Sequence, residues 1–73
     1  MKVVVLGGSG FIGSHVADEL SKRGNKVIIF DKKKSKWLRR DQKMLIGDIF
    51  NYKALEKAIK GCQVVYNFIY ANQ

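Results

Sequence analysis

Residues 2–6, Lys-Val-Val-Val-Leu, form a β-branched and aliphatic run with no polar alternation. Such a run predicts a strand covered on both faces, as in the middle of a parallel sheet. Beyond a cluster of glycines the period changes. Ile12, Val16 and Leu20 recur every four residues with Ala17 beside them, while Ser14, Asp18, Glu19, Ser21 and Lys22 take the other positions. This spacing predicts an amphipathic helix over 11–23, with Gly24 and Asn25 as its stop. Residues 26–31 read as a second strand, Val27-Ile28-Ile29-Phe30, ending in the carboxylate of Asp31. A short third strand over 43–46 is closed by Gly47-Asp48. Asn51 is placed to cap a helix over 52–60, with Leu55, Ala58 and Ile59 turned inward and Gly61 as the stop. Residues 63–70 read as a fourth strand. Between the second and third strands no period is evident, and that segment reads as a loop or a short helix.

The order β-α-β-loop-β-α-β places the chain in the α/β class. Alternation of this kind predicts a parallel sheet with right-handed crossovers and helices on its faces. The expected strand order is 3-2-1-4, the first half of a doubly wound sheet. A chain of 73 residues makes one domain at most, and 1–73 reads as a single partial Rossmann domain that lacks catalytic and substrate-binding portions.

Composition narrows the setting. No segment approaches the roughly 20 apolar residues of a membrane span, and the apolar run at the N-terminus is too short for a secretion signal. The single cysteine, Cys62, cannot form an internal disulfide, which points to a reducing, cytoplasmic location, where it serves as a small packing residue. The net charge of +8 is concentrated in one place: residues 32–43 hold seven cations against Asp41 alone.

The glycines carry the chemistry. Gly7, Gly10 and Gly13 have the spacing G-x-x-G-x-x-G, and Gly8, Gly10 and Gly13 also fit G-x-G-x-x-G. A dinucleotide pyrophosphate is doubly charged, and free N–H groups with the positive end of a helix dipole stabilise it where a strand turns into a helix. A side chain in that turn blocks the phosphate or forces an unfavourable φ. The context is complete: a strand before, a helix after, and a strand ending in an acid eighteen residues beyond Gly13. These features identify a Rossmann-type dinucleotide-binding half. No Gly-Lys-Ser/Thr follows, which excludes a P-loop. Asp31 is placed to accept from the adenosine ribose hydroxyls, favouring NAD over the 2′-phosphate of NADP. Lys32, Lys33 and Lys34 follow it directly and leave NADP open.

The run Leu6-Gly7-Gly8-Ser9-Gly10-Phe11-Ile12-Gly13-Ser14-His15 resembles the opening of the extended short-chain dehydrogenase/reductase family, the NAD-dependent nucleotide-sugar epimerases and dehydratases. Asp31, the element Gly47-Asp48-Ile49 and the segment from Gly61 to Phe68 resemble later family features in the same order. The resemblance implies that Gly7, Gly10, Phe11, Ile12 and Gly13 meet the pyrophosphate. It further implies that Asp31, with Lys32 beside it, holds the ribose, that Asp48 and Ile49 flank the adenine, and that Phe68 passes under the cofactor. The family usually has His-Leu-Ala-Ala where this chain has Asn67-Phe68-Ile69-Tyr70, so Ile69 and Tyr70 put bulk where alanines are usual. The family's catalytic pair is Tyr-x-x-x-Lys, placed after the fourth strand. Tyr52 is followed by lysines at 53, 57 and 60, none four residues on, and Tyr66 and Tyr70 have none after them. The expectation is the N-terminal, cofactor-holding portion, with no catalytic residue and no metal ligand set. A nucleotide-sugar substrate belongs to it only in a longer chain.

Other residues fit blander roles. His15 has no Cys or second His near it and reads as a surface or packing residue, with an added donor to the pyrophosphate as the alternative, and not as a metal ligand. Trp37 reads as cover for the sheet, with stacking on adenine as the alternative. The basic segment reads as a solvated loop; a nucleic-acid surface is the weaker reading, because aromatics do not alternate with the cations. A non-catalytic nucleotide-binding or interaction module, which senses cofactor or pairs through the sheet edge after the fourth strand, including as a homo-oligomer, is the alternative to the cofactor-binding portion of an enzyme.

Overall fold

The fold was obtained as a computed structural model, and the structure describes residues 1–69. Its elements are β1 (Lys2–Leu6), α1 (Phe11–Lys22), β2 (Lys26–Asp31), β3 (Gln42–Ile46), α2 (Tyr52–Ile59) and β4 (Val64–Asn67). All strand pairings are parallel and the order is β3-β2-β1-β4, as the alternation of elements predicts. Tyr70, included in the expected fourth strand, lies outside the described residues.

The position of β1 between β2 and β4 explains its unbroken apolar run. Val3 and Val5 enter the cluster on one face, with Ala17, Val27 and Ile29. Val4 and Leu6 enter the other, with Ile28, Phe30 and Ala58. Each face carries one helix, α1 on the first and α2 on the second. At about 25 cal/mol per Å² of apolar area, burying such a pair of faces is the main force holding the domain.

Three local expectations change in the folded chain. Helix α1 buries Gly13, Ser14, Ala17 and Ser21, while Ile12 stays 59% exposed. The helix lies close to the sheet, so small residues face it and larger ones flank them. Both serine hydroxyls are satisfied within the helix, Ser14 donating to the Phe11 carbonyl (2.9 Å) and Ser21 to that of Ala17 (3.0 Å). On α2, Ala58 is buried but Ile59, expected inward, is 36% exposed. Strand β4 ends early because the Asn67 side chain accepts the Ile69 N–H at 2.9 Å and turns the chain out of the ladder.

Helix boundaries follow their capping chemistry. Helix α1 ends in a left-handed Gly24 (φ +90°), whose N–H reaches the Ser21 carbonyl while that of Asn25 reaches Leu20. Asn51 caps α2, its side chain accepting from the Ala54 N–H at 3.2 Å. Cys62 packs half-buried against the second cluster. Among the described residues no helix is long and apolar enough to cross a membrane.

The basic segment is a loop, without regular helix or strand between β2 and β3. It is anchored by Leu38, which packs on the first cluster, and by buried Ser35. Gln42 is buried as well; its amide donates to Asp18 (3.0 Å) and Ser21 (3.1 Å), pinning β3 to α1. Arg39 grips Asp41 with two hydrogen bonds of 3.0 Å. That hydrogen bonding, reinforced by the guanidinium charge, holds the Asp41 carboxyl below the usual aspartate range. Its folded value lies below its unfolded one, so the stabilisation is complete above the unfolded value and is lost as pH falls through the folded one. In an NMR pH titration Asp41 is expected to ionise below a free aspartate, and Arg39→Gln to restore the ordinary midpoint. An Asp41 midpoint unchanged by Arg39→Gln would contradict the pairing.

Candidate functional site

The C-terminal ends of β1, β2 and β4 converge on the glycine turn. Gly7 has φ +82°, and its N–H donates to the Phe30 carbonyl at 2.8 Å. A Cβ there would lie 3.0 Å from the Phe68 carbonyl carbon and oxygen, so backbone conformation and backbone contact both demand glycine. At Gly8 a Cβ would meet Ile29 Cγ2 at 2.7 Å, in the core. At Gly13 it would overlap the Gly7 carbonyl oxygen. The third glycine therefore seats α1 against the turn itself.

Gly10 differs from these three. Its φ is −76°, and a Cβ would meet nothing closer than the Gly7 carbonyl oxygen at 3.5 Å, an ordinary contact. The fold does not require glycine at position 10. What the position adjoins is a cleft of about 360 Å³ lined by Gly7, Gly10, Phe11, Ile12, Gly13 and Phe68.

Helix α1 starts at this cleft. Gly10 is its N-cap and supplies no side-chain acceptor, and the first turn has no acidic residue. Among the described residues no acceptor meets the N–H groups of Phe11, Ile12 and Gly13. Three donors and the positive end of the helix dipole are thus unopposed. Phe11 and Ile12 are 70% and 59% exposed, so apolar side chains flank those donors. A cradle that a side chain at position 10 would fill, with free donors at its back, fits a pyrophosphate group.

Asp31 is placed beside the turn by β2. Its Oδ2 accepts from the Ser9 N–H (3.0 Å) and its Oδ1 from the Lys32 N–H (2.7 Å). Ser9, not singled out in the sequence, also donates its hydroxyl to the Lys33 carbonyl at 2.6 Å. It ties the turn to the end of β2. The available signal was its place between two glycines of the motif, where only a residue with local hydrogen bonds is useful. Lys32 Nζ lies 3.6 Å from Asp48 Oδ2, joining the ends of β2 and β3. The other Asp48 oxygen accepts from the Phe50 N–H at 2.9 Å. Ile49 turns half-buried into the second cluster, beneath that loop.

The fourth-strand residues separate. Phe68 donates its N–H to the Leu6 carbonyl at 2.8 Å and lines the cleft, packing on the first cluster. Ile69 packs on the opposite, second cluster. His15 packs edge-on against Phe11, with ring centres 4.7 Å apart. Trp37 lies against α1, lining a smaller cleft of about 150 Å³ with Phe11, Ser14, His15 and Asp18. Among the described residues no group of three or more His, Cys, Asp or Glu could hold a metal ion.

Comparison with known proteins agrees with this geometry. The model of the NAD dependent epimerase/dehydratase family matches residues 3–73. The mouse sterol-4-alpha-carboxylate 3-dehydrogenase (decarboxylating) is 39% identical over 66 residues, 90% of this chain and 18% of that protein. A UDP-galactose 4-epimerase structure superposes over 100% of this chain and 25% of its own, with a TM-score of 0.83 and 32% identity. The Thermus thermophilus UDP-glucose 4-epimerase complex with NAD covers the same shares at 27% identity and a TM-score of 0.83. The chain thus spans a quarter or less of the length of each of these relatives. A parallel β3-β2-β1-β4 sheet, a glycine turn over a free helix start and this match across nearly the whole chain lead to one conclusion: the protein belongs to the NAD-dependent epimerase/dehydratase family.

Proposed function

We propose that these 73 residues are the N-terminal, cofactor-holding portion of a nucleotide-sugar epimerase or dehydratase, binding the ADP portion of NAD. The observation that carries this reading is Gly10, the glycine in the motif that the fold does not need, beside three free N–H donors. Phe11, Ile12 and Gly13 bind the pyrophosphate through those N–H groups, and Gly10 keeps its path open in the turn that Gly7 shapes. Asp31 accepts from the adenosine ribose; its hydrogen bonds from Ser9 and Lys32 fix the carboxylate and leave lone pairs on both oxygens. Asp48 and Ile49 border the adenine, and Phe68 forms the floor beneath the cofactor. Lys32 bridges the adenosine pocket to Asp48. NAD, when bound, supplies a hydride acceptor; the chain contributes binding and orientation only, as it contains no Tyr-x-x-x-Lys.

The preference is for NAD, because a 2′-phosphate would approach the Asp31 carboxylate. The relatives named above act on a sterol or on sugar nucleotides, so substrate choice lies with the rest of a longer chain. The reading carries with it a cytoplasmic setting, in keeping with a single half-buried thiol.

Titration of the chain with NAD, followed by amide NMR, tests the reading. Shifts are expected at Phe11, Ile12 and Gly13 and around Asp31, with NADP weaker by about tenfold, or about 1.4 kcal/mol. Assays with UDP-sugars are expected to give no turnover. Absence of shifts at the start of α1 at saturating NAD would sink the cofactor reading, and NADP binding tighter than NAD would sink the preference. A second reading, an interaction module that forms homo-oligomers, is favoured by β4 alone: it is an edge strand, and Val65 is 47% exposed. Size-exclusion chromatography with and without NAD distinguishes it, since a cofactor-responsive oligomer belongs only to that reading.

A further inference from the structure

The cations at the other end of the sheet have no role in holding a dinucleotide. A groove of about 390 Å³ runs across the N-terminal ends of β1, β2 and β3, lined by Lys2, Lys26, Arg40 and Lys43 around Val27 and Ile28. Strand β1 is five residues long, which puts this groove about 16 Å from the glycine turn.

Strand register gathers three of these cations on one face. Lys2 pairs with Lys26 across β1 and β2, and Lys43 pairs with Ile28 across β2 and β3. Val4, Ile28 and Leu45 belong to the second cluster, so the alternation along each strand sends Lys2, Lys26 and Lys43 to that same face. From strand spacing and rise, the Cα of Lys26 lies about 5 Å from that of Lys2 and about 8 Å from that of Lys43. Like charges directly opposite in a ladder destabilise it, so folding gives no reason for the Lys2–Lys26 pair.

No described carboxylate offsets them. The ion pairs among the described residues are Arg23–Glu19, Lys32–Asp48 and Arg39–Asp41. Asp41, the one acid lining the groove, has both oxygens engaged by Arg39. Among the described residues the Lys2 ammonium reaches the Lys60 carbonyl, at 3.4 Å, and no carboxylate. The aromatic side chain that a single-stranded nucleic acid would stack on, Trp37, lies against α1, away from this face.

We propose that this groove is a second anion site, taking a short oligophosphate chain independently of the dinucleotide. Several phosphates in a row satisfy cations spaced a few ångströms apart, whereas a single phosphate meets only one or two of them. Ile28, on the same face, lies beneath them.

The test is an amide NMR titration with inorganic tripolyphosphate, with inorganic phosphate and a short single-stranded DNA as comparison arms. Saturable shifts are expected at Lys26, Val27, Ile28, Gln42 and Lys43, unchanged when NAD is also present. Inorganic phosphate should bind far more weakly, and Lys26→Gln with Lys43→Gln should reduce tripolyphosphate affinity about tenfold. Both residues are exposed, so the dispersed spectrum of a folded chain should persist in the double variant. Tripolyphosphate shifts confined to Phe11, Ile12 and Gly13 would overturn the proposal. So would equal binding by the double variant, non-saturating shifts spread over residues 32–36, or DNA binding tighter than tripolyphosphate.

Discussion

Gly13→Ala is expected to remove most of the stability margin of this domain. The new methyl would overlap the Gly7 carbonyl oxygen and sit 3.0 Å from the Gly7 carbonyl carbon and the Gly8 Cα, all backbone atoms. The turn has no freedom to withdraw. Gly7 is bonded to Phe30 on one side and backed by the Phe68 carbonyl on the other, and Gly8 is packed on Ile29. Relief therefore requires α1 to lift from the sheet, which would expose the Gly13, Ser14, Ala17 and Ser21 stripe. Alanine in place of glycine inside a helix gains about 1 kcal/mol of propensity, and that gain is outweighed. A net loss of about 3 kcal/mol is expected from forced overpacking of this kind. In a domain of this size that corresponds to a fall in Tm of about 12–24 °C. Thermal unfolding followed by circular dichroism measures it. A Tm within a few degrees of the parent would mean that the helix is not seated on the turn as described.

Gly10→Ser is expected to separate binding from folding. Position 10 has an extended backbone, φ −76° and ψ 172°, the conformation of a helix N-cap, and its Cβ would point to free space. Serine is a good N-cap, since its hydroxyl accepts from the second or third N–H of the helix. Those N–H groups, on Ile12 and Gly13, belong to the three to which we assign the pyrophosphate. The substitution therefore stabilises the empty domain, by up to about 0.5 kcal/mol, while occupying the cradle and its donors. NAD affinity is expected to fall by about a hundredfold or more, equivalent to about 2.8 kcal/mol. Stability and affinity thus move in opposite directions. A variant that binds NAD as tightly as the parent would remove the helix start from the site, whatever its Tm.

These two glycines show how far the sequence could be read. Spacing alone places Gly7, Gly10 and Gly13 in one motif and treats them alike. The folded chain gives them different work. Gly7 and Gly13 are required by their own neighbours, the Phe68 carbonyl and the Gly7 carbonyl, and only Gly10 is left for a ligand. The Phe68 carbonyl comes from the end of another strand, far along the chain, and the Gly7 carbonyl meets position 13 only because the folded turn tucks back under α1, which spacing alone does not record. The same limit accounts for α1. Its four-residue period is correct for a helix, but which side chains face the sheet depends on how closely the two pack. A close approach favours Ser14 and Ser21 over Ile12.

What the sequence determined by itself is the order and type of the elements. It also determined the parallel β3-β2-β1-β4 sheet, the caps at Asn51 and Gly24, and the strand-end position of Asp31. These follow from short-range causes: β-branched runs, a glycine that accepts positive φ, a side chain that accepts from its own helix, and crossovers of one hand. Only the tertiary structure decided the partners. It bound Asp31 to Ser9, paired Lys32 with Asp48, buried Gln42 against Asp18, and set Lys2 beside Lys26 at the far rim of the sheet. Each of these contacts joins residues more than fifteen positions apart, and only the packing of the sheet and its helices brings them within reach.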